Sequence, residues 1–173
     1  AKVCDLIIDQ KLKDHFPLVV WQTGSGTQIN MNLNEVIANK ANVLLGFKLP
    51  SNKPLHPNDD INKSQSSNDT IPTAMHIATV LIIKRELLPA ISKIKKTLKK
   101  KVKEFNKVIK IGRTHTQDAT PIKLSNEFLA FHDQIDYAEK KILQSLSKLF
   151  QLAQGGTAVG SGVNAPKDFS KNF

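Results

Sequence analysis

The chain has 173 residues, a formal net charge of +10 and a single cysteine, Cys4. The length suits one domain, and one cysteine excludes an internal disulfide framework or a multi-cysteine zinc site and favours a reducing compartment. No apolar run reaches the roughly 20 residues that cross a bilayer, and residues 1–30 lack a signal-peptide pattern, so we expect a cytoplasmic protein without membrane partners. The chain opens without a methionine, which leaves a targeting peptide and the mitochondrial matrix as the alternative.

The first predicted long helix follows a glycine-rich turn at residues 23–27. Apolar residues recur at helical spacing over residues 28–45, and Gly46 is a typical helix end. The glycines of the turn allow positive φ or a close backbone approach to a ligand. Ser25 and Thr27 carry hydroxyls where the helix begins, so they either hold an anionic oxygen or simply cap the helix.

A loop punctuated by prolines is predicted over residues 47–62. It contains His56 and Asn58, which together can bind a carboxylate. The alternative is that His56 is an exposed, solvated loop residue with no function.

The polar stretch at residues 65–72 changes abruptly into a helical pattern and predicts a helix start near Asp69. Pro72 suits the first turn because it has no N–H group and its φ is fixed. A helix start presents unpaired N–H groups and the positive end of the helix dipole. The stretch is therefore either an anion site or a set of plain helix caps, and both interpretations use Ser66, Ser67 and Asn68.

Two long helical rods account for much of the remaining chain. The first runs from about Asp69 to Asn106 with a kink or break at Pro89, and the second covers residues 124–149. Apolar spacings of three and four predict a near-antiparallel helix bundle, so the expected fold class is all-α. Two rods cannot cover each other's apolar surfaces completely, which implies further helices from the rest of the protein or from other subunits.

The positive charge is concentrated in a lysine-rich segment, residues 84–110. An apolar stripe runs through the same segment, so the lysines are predicted to form the solvated face of a helix. The rival interpretation is a non-catalytic basic helical module that binds nucleic acid or an acidic partner. Aromatic residues make up only 6% of the chain, which leaves little platform for base stacking.

The connection between the two rods, residues 110–121, is densely polar. His115 can exchange a proton near neutral pH, and three neighbours could fix its tautomer or a bound water: Thr114, Gln117 and Asp118. The glycines of residues 154–162 fit no dinucleotide fingerprint and favour a sharp turn or close helix packing over a ligand contact.

Three of these stretches, in this order and spacing, resemble the class II fumarase family of the fumarase and aspartase superfamily. They are residues 23–35 (TGSGTQINMNLNE), 56–69 (HPNDDINKSQSSND) and 112–121 (GRTHTQDATP). With residues 155–164 added, the likeness covers essentially the whole chain. The nearest competitor is aspartate ammonia-lyase, which typically has alanines beside the first glycines, Ser-Thr-Asn in the second motif and Gln in place of His115. An aspartate ammonia-lyase-like activity is therefore the alternative within the superfamily.

The resemblance implies a fold and a reaction. The fold is the long-helix bundle of the superfamily, in which residues 1–65 end a smaller, mainly helical N-terminal domain and residues 66–173 begin the central bundle. The reaction is that of a lyase, the reversible trans hydration of fumarate to L-malate in the citric acid cycle, with no metal or organic cofactor and no nucleic-acid partner. The assembly is a homotetramer whose active sites are shared between subunits.

The resemblance also implies roles for individual residues. Substrate carboxylates are held by Ser25, Thr27, Ser66, Ser67 and Asn68. The catalytic pair, which also binds substrate and activates or protonates water, is Thr114 and His115. A second dicarboxylate site is matched by His56, Asn58 and Asp59.

The chain departs from the family pattern in single residues and in one whole motif. Thr116 stands where a leucine is usual, and Lys123, Ser125 and Asn126 replace common Thr, Gly and Gln positions. The third family signature, a mobile loop with the serine usually assigned as carbon-proton base, is not found among these residues. We therefore expect this chain to be a piece of the enzyme and to be inactive when isolated.

Overall fold

The computed structural model describes residues 1–50 and 52–173, and it divides them into two compact units, residues 1–75 with 152–173 and residues 76–151. The described residues are mainly helical, and their strands form one two-stranded antiparallel sheet. The all-α prediction is therefore confirmed, with a small hairpin added. Within these residues, no helix combines the length and the apolarity that a membrane crossing requires.

The helices and strands follow the chain in the order α1 (Lys2–Ile8), α2 (Thr27–Leu44), α3 (Ser67–Ile82), α4 (Leu88–Glu104), β1 (Ile109–Thr114), β2 (Gln117–Lys123), α5 (Leu124–Leu149) and α6 (Phe169–Asn172). Short 3-10 or π-helical turns lie at Lys13–His15, Pro57–Ile61 and Ile83–Leu87. The helix predicted over residues 28–45 and the rod predicted over residues 124–149 are confirmed to within one residue.

Helix α2 buries a polar face. Its most buried residues recur every four positions and are Asn30, Asn34, Ala38 and Asn42, at 3%, 5%, 0% and 0% exposure. Asn30 and Asn34 each donate an Nδ2 hydrogen bond of 3.0 Å to the Oδ1 atom of Asn62. Asn42 donates to the carbonyl of Leu55 and accepts from its N–H. Buried amides must be paired in this way, so hydrogen bonds rather than apolar contacts fix this face of α2.

The first predicted rod is a continuous helical run from α3 through α4 with one irregularity. Residues Ile83–Leu87 form a π-helical turn. Pro89 has no N–H group for the carbonyl one turn earlier, which accounts for a disturbance at this place. The predicted start near Asp69 is wrong by two residues, because α3 begins at Ser67, and Pro72 consequently lies inside the helix rather than in its first turn.

Helices α4 and α5 pack antiparallel in the second unit. Phe105 near the end of α4 lies 5.1 Å from Phe128 near the start of α5, ring centre to ring centre. At the opposite ends, Lys84 lies over the Phe150 ring. Large apolar side chains on these helices nevertheless remain exposed: Ile94, Leu129, Phe131, Tyr137 and Leu143. The expectation that two rods leave apolar surface uncovered is confirmed, while its origin in further helices stays a prediction.

An ion-pair cluster joins the middles of α4 and α5. Lys95 of α4 donates to the carboxylates of Asp136 and Glu139, and Lys140 also pairs with Asp136. Hydrogen bonds from Lys140 and Lys95 hold the pKa of Asp136 well below its usual range. The same contacts, with Asp136 first and Glu139 second, raise the pKa of Lys95. The cluster therefore keeps opposite charges in register between the two helices.

The polar connection at residues 110–121 is a β-hairpin, so the prediction of a simple connection is incomplete. Strand β1 pairs with β2 from Ile109 opposite Lys123 to Thr114 opposite Gln117. The two-residue turn consists of His115 at φ 49° and Thr116 at φ 63°. A two-residue turn with positive φ at both positions matches the twist of a hairpin but is usually built from Asn and Gly, so His-Thr at these positions does not predict a hairpin.

Candidate active site

The start of α2 is fixed against α3 by a glycine. Gly26 has φ +70° and directly precedes the helix. A Cβ atom on Gly26 would lie 2.7 Å from the Cγ2 atom of Ile71 in α3. The residue is therefore needed twice, for its backbone conformation and for its lack of a side chain, and it brings the 23–27 turn against the first turns of α3.

Four hydroxyl groups form a continuous hydrogen-bonded chain from this turn to α3. Thr23 Oγ1 lies 3.3 Å from Ser25 Oγ, Ser25 Oγ lies 3.2 Å from Thr27 Oγ1, and Thr27 Oγ1 lies 3.1 Å from Ser67 Oγ. We call these four residues the hydroxyl chain. The structure thus brings together three of the predicted substrate-binding residues, Ser25, Thr27 and Ser67.

The start of α3 carries a capping box. The backbone N–H of Asn68 donates to Ser66 Oγ at 3.2 Å, and the backbone N–H of Ser66 donates to Asp69 Oδ1 at 2.9 Å. Ser66 is thus the cap and Asp69 the third helical residue, a reciprocal arrangement that satisfies two donors at once. The box explains why α3 begins earlier than predicted.

The start of α2 has no equivalent cap. Gly26 has no side chain, and only the N–H of Asn30 reaches back to the Gly26 carbonyl, at 3.0 Å. Within the described residues, the N–H groups of Thr27, Gln28 and Ile29 find no backbone or side-chain acceptor. These donors and the positive end of an 18-residue helix make α2 the better of the two helix starts for an anion.

A cavity of about 680 Å³ lies beside the hydroxyl chain. The residues that line it include Thr27, Asn58, Asn62, Lys63, Ser66, Ser67, Thr157 and Asn164. Lys63 is the only lining residue with a formal charge among those described, so the cavity wall is polar with a net positive charge. Thr157 is 8% exposed, and its Oγ1 atom has no hydrogen-bond partner in the described part of the chain.

Asp69 connects the α3 start to the 152–162 segment beneath the cavity. It is 3% exposed and accepts hydrogen bonds from Ser66 N, from Thr70 Oγ1 and, at 2.7 Å, from Thr157 N. The glycine turn predicted over residues 154–162 is confirmed, with positive φ at Gly155, Gly160 and Gly162. Asp69 and Thr157 were not among the predicted site residues, although a Ser-x-x-Asp spacing from Ser66 was a readable capping signal.

Asn68 occupies a different place from its predicted partners. It is the second residue of α3, its side chain is exposed, and it does not line the 680 Å³ cavity. Within the described residues its amide makes no hydrogen bond. The structure therefore places Asn68 next to the hydroxyl chain in sequence but on the solvent side of the helix start.

The predicted second dicarboxylate site is a self-contained turn. His56 Nδ1 accepts the N–H of Asp59 at 3.2 Å, and Asn58 Nδ2 donates to Asp59 Oδ1 at 3.2 Å. The N–H of His56 donates to Asp60 Oδ2 at 2.7 Å. His56, Asn58 and Asp59 are thus brought together, but two carboxylates neighbour the histidine. A dicarboxylate ligand at this turn must overcome that repulsion.

The predicted catalytic pair lies on the hairpin of the second unit. Thr114 ends β1, and His115 is the first turn residue, with an exposed side chain. Thr114, Gln117 and Asp118 were predicted to fix the His115 tautomer or a bound water. Asp118 pairs with Arg113 at 3.1 Å, and no described residue hydrogen-bonds the imidazole directly, so the role through a bound water stays a prediction.

Comparisons with known proteins agree on one family. A family model described as Lyase matches residues 1–173. The class II fumarate hydratase of Brucella suis biovar 1 (strain 1330) is 58% identical over 167 residues, which cover 96% of this chain and 36% of that protein. The mitochondrial fumarate hydratase of Rattus norvegicus is 56% identical over 170 residues, which cover 98% of this chain and 34% of that protein.

A solved structure shows the same fold. The crystal structure of recombinant class II fumarase from Schistosoma mansoni superposes with a TM-score of 0.89 at 42% identity, over 98% of this chain and 36% of that chain. The chain thus spans about a third of the length of the relatives it matches. These matches confirm the resemblance carried by the three motifs, and the chain belongs to the lyase family as a relative of the class II fumarases.

Proposed function

We propose that the whole protein is a fumarate hydratase of class II, which adds water reversibly across the double bond of fumarate to give L-malate. The observation that carries this proposal is the meeting of two helix starts, where Thr27 Oγ1 and Ser67 Oγ lie 3.1 Å apart beside a polar cavity. The names of the relatives support the reaction, and the polar cavity supports a small anionic substrate.

Substrate carboxylates accept hydrogen bonds only, so the site must supply donors. The hydroxyl chain has four O–H groups, and its three internal hydrogen bonds use three of the four hydroxyl protons. One hydroxyl proton is therefore free, and a carboxylate held by two hydroxyls must displace one internal bond. The unpaired N–H groups of Thr27, Gln28 and Ile29 supply further donors without that cost.

Ser66 and Asn68 are proposed to add to this set. Ser66 Oγ accepts the N–H of Asn68, which leaves its own O–H free to donate into the cavity that it lines. Capping and substrate binding therefore do not compete at Ser66. Asn68 has an unengaged amide and is proposed to meet the substrate carboxylate from the outer side of the α3 start.

The chemistry requires a proton donor and acceptor besides the carboxylate donors. Removal of the proton next to a carboxylate builds a dianion, which fixed donors stabilise as its charge develops. His115 is proposed to activate the water or protonate the leaving hydroxide, because no described residue hydrogen-bonds its imidazole, and Thr114 is proposed to bind the substrate beside it. The carbon-proton base is proposed to come from a serine outside residues 1–173.

Other properties of the whole protein are part of the same proposal. We propose a homotetramer with shared active sites, since the exposed apolar side chains of α4 and α5 need a partner surface. A domain boundary near residue 65, a second dicarboxylate site at His56, Asn58 and Asp59, and function without a metal or organic cofactor are proposed with it. The compartment is proposed to be the cytoplasm, with the mitochondrial matrix as the alternative.

The proposal is tested on the full-length protein by following fumarate absorbance in the ultraviolet. His115→Asn and Asn68→Ala are each expected to lower kcat/KM by about 100-fold or more, roughly 2.7 kcal/mol of transition-state stabilisation. His15→Asn is the matched control, because His15 is exposed and does not line the 680 Å³ cavity. Near-normal kinetics in either site variant remove that residue from the mechanism.

The alternatives have distinct outcomes in the same preparation. Ammonia release from L-aspartate without fumarate hydration identifies an aspartate ammonia-lyase-like enzyme. If the protein shows neither activity and retains nucleic acid in a salt-sensitive way, it is the basic helical module. Residues 1–173 expressed alone are expected to show no turnover, and the tetramer is checked by light scattering of the full-length protein.

A further inference from the structure

Another cavity, of about 480 Å³, is lined by α4 and α5 and shares no described residue with the 680 Å³ cavity. Its walls carry four lysines from α4, one histidine and one aspartate from α5, and two aliphatic residues: Lys96, Lys99, Lys100, Lys103, His132, Asp133, Val102 and Leu129. We call it the lysine groove. All of its described residues belong to the same compact unit.

The groove lysines differ from other lysines of the same unit. Lys95, Lys101 and Lys110 each pair with a carboxylate. Within the described part of the chain, none of the four groove lysines forms an ion pair, and all four are exposed. Asp133 is the one carboxylate that lines the groove. With His132 neutral, the formal charges of the lining residues leave a strong positive excess, which an anion of several charges would balance.

The spacing of the lysines extends this charge along the helix. Residues 96, 99, 100 and 103 stand at intervals of three and four, so they share one face of α4. At ~1.5 Å per residue they cover about 10 Å of helix length. Such a row suits a chain of linked anionic groups better than a single carboxylate. Lysine ammonium groups act as point charges on phosphate oxygens.

His132 provides an independent sign that a ligand belongs in the groove. It is 8% exposed, and its Nδ1 lies 3.0 Å from Asp133 Oδ1, a carboxylate that can only accept, so Nδ1 carries the proton. The Nε2 atom is buried and has no hydrogen-bond partner within the described residues. Such unpaired buried groups are rare in folded proteins. The neutral ring thus offers a vacant acceptor, and the protonated ring an additional donor.

We propose that the lysine groove binds a small polyphosphate-bearing anion. The four lysines hold the phosphate oxygens, and His132 lies in the groove wall beside them. The described residues of the groove wall include no Phe, Tyr or Trp side chain, so stacking of nucleic-acid bases has little platform there. Free polyphosphate and a nucleoside triphosphate share this chemistry, and the experiment separates them.

Calorimetric titration of the full-length protein tests the proposal, with tripolyphosphate, ATP and inorganic phosphate as probes and a chelator to remove divalent cations. Tripolyphosphate is expected to bind more tightly than inorganic phosphate, with an affinity that falls as salt is added. If ATP binds more tightly than tripolyphosphate, the groove recognises a nucleoside triphosphate. If the two bind equally, the groove recognises the phosphate chain alone.

Matched variants locate the binding. Lys99→Gln combined with Lys103→Gln is expected to weaken tripolyphosphate binding at least tenfold, and His132→Gln to weaken it severalfold. Lys93→Gln, an exposed lysine of α4 that does not line the groove, is the control and should bind as the unmodified protein does. Because the groove lysines are exposed, the double variant should fold, which circular dichroism checks.

Three results overturn the proposal. The first is unchanged tripolyphosphate affinity in the double lysine variant. The second is an equal loss in Lys93→Gln, which would show diffuse attraction by the whole helix. The third is displacement of tripolyphosphate by L-malate, which would place the anion in the other cavity. Fumarate hydration is expected to be unchanged in the double variant, so the two proposals fail or succeed separately.

Discussion

Side chains at the starts of helices α2 and α3 lie within hydrogen-bonding distance of each other, but the two helix starts are capped differently. The α3 start is closed by the Ser66 and Asp69 capping box, whose carboxylate also holds the N–H of Thr157. The α2 start follows a glycine, and within the described residues its first N–H groups are unpaired. The α3 start therefore combines capping with the side-chain donors proposed for the substrate, whereas the α2 start contributes backbone N–H donors that no cap occupies.

The largest expected effect comes from removing the Asp69 carboxylate of the α3 capping box. Asp69→Ala leaves the backbone N–H groups of Ser66 and Thr157 without their buried acceptor, so we expect the free energy of unfolding to fall by about 3 kcal/mol. Urea unfolding of the full-length protein measures this. Asp118→Ala, which removes an exposed partner of Arg113, is the control and should cost less than about 0.5 kcal/mol. Equal losses in both variants would show that Asp69 does not anchor the α3 start.

The parts of the fold that the sequence predicted well are those with apolar spacing. Helices α2 and α5 match the predicted bounds because their apolar residues recur at threes and fours, and Gly46 with φ +89° ends α2 as expected. Such helices can be predicted from local apolar spacing alone, without knowing which residues they contact elsewhere in the chain.

The prediction failed where a partner lies far along the chain. Asn30 and Asn34 are buried because Asn62, about 30 residues later, accepts from both, and no local pattern reveals that pairing. The hairpin was missed because His115 and Thr116 form its turn without a glycine. For the site, the hydroxyl residues were predicted from helix-start chemistry and family motifs. The roles of Asp69 and of the uncapped α2 start could be recognised only from the three-dimensional structure.

A substitution at Gly26 should displace the uncapped start of α2 and leave the capping box of α3 intact. Gly26→Ala places a methyl group 2.7 Å from Ile71 Cγ2 at a residue with φ +70°, so we expect a loss of about 2 kcal/mol and a raised KM as the 23–27 turn moves. Gly24→Ala is a close control, because a Cβ there meets nothing within 4 Å. If Gly24→Ala and Gly26→Ala behave alike, the close approach of the turn to α3 does not matter.

Thr27→Val tests the proposed binding role of the open start with little change in shape. The substitution removes the central hydroxyl of the hydroxyl chain, which contacts Ser25 and Ser67. We expect kcat/KM for fumarate to fall about tenfold, close to 1.4 kcal/mol, mainly through KM, because a donor to the bound carboxylate is lost. Thr97→Val, an exposed threonine of α4, should leave the kinetics unchanged. A Thr27→Val enzyme with normal KM but lower stability would assign Thr27 to the fold alone.

The smallest effect separates the two roles proposed for a single residue, Ser66. Ser66→Ala removes the cap acceptor for the Asn68 N–H and should lower the free energy of unfolding by about 1 kcal/mol. Ser66→Asn should restore most of this loss, because asparagine caps helices as well as serine does. If the Ser66 hydroxyl also donates to substrate, KM stays raised severalfold in both variants. A normal KM in Ser66→Asn would leave Ser66 as a cap only, and substrate binding would then depend on the open start of α2 and on Ser67.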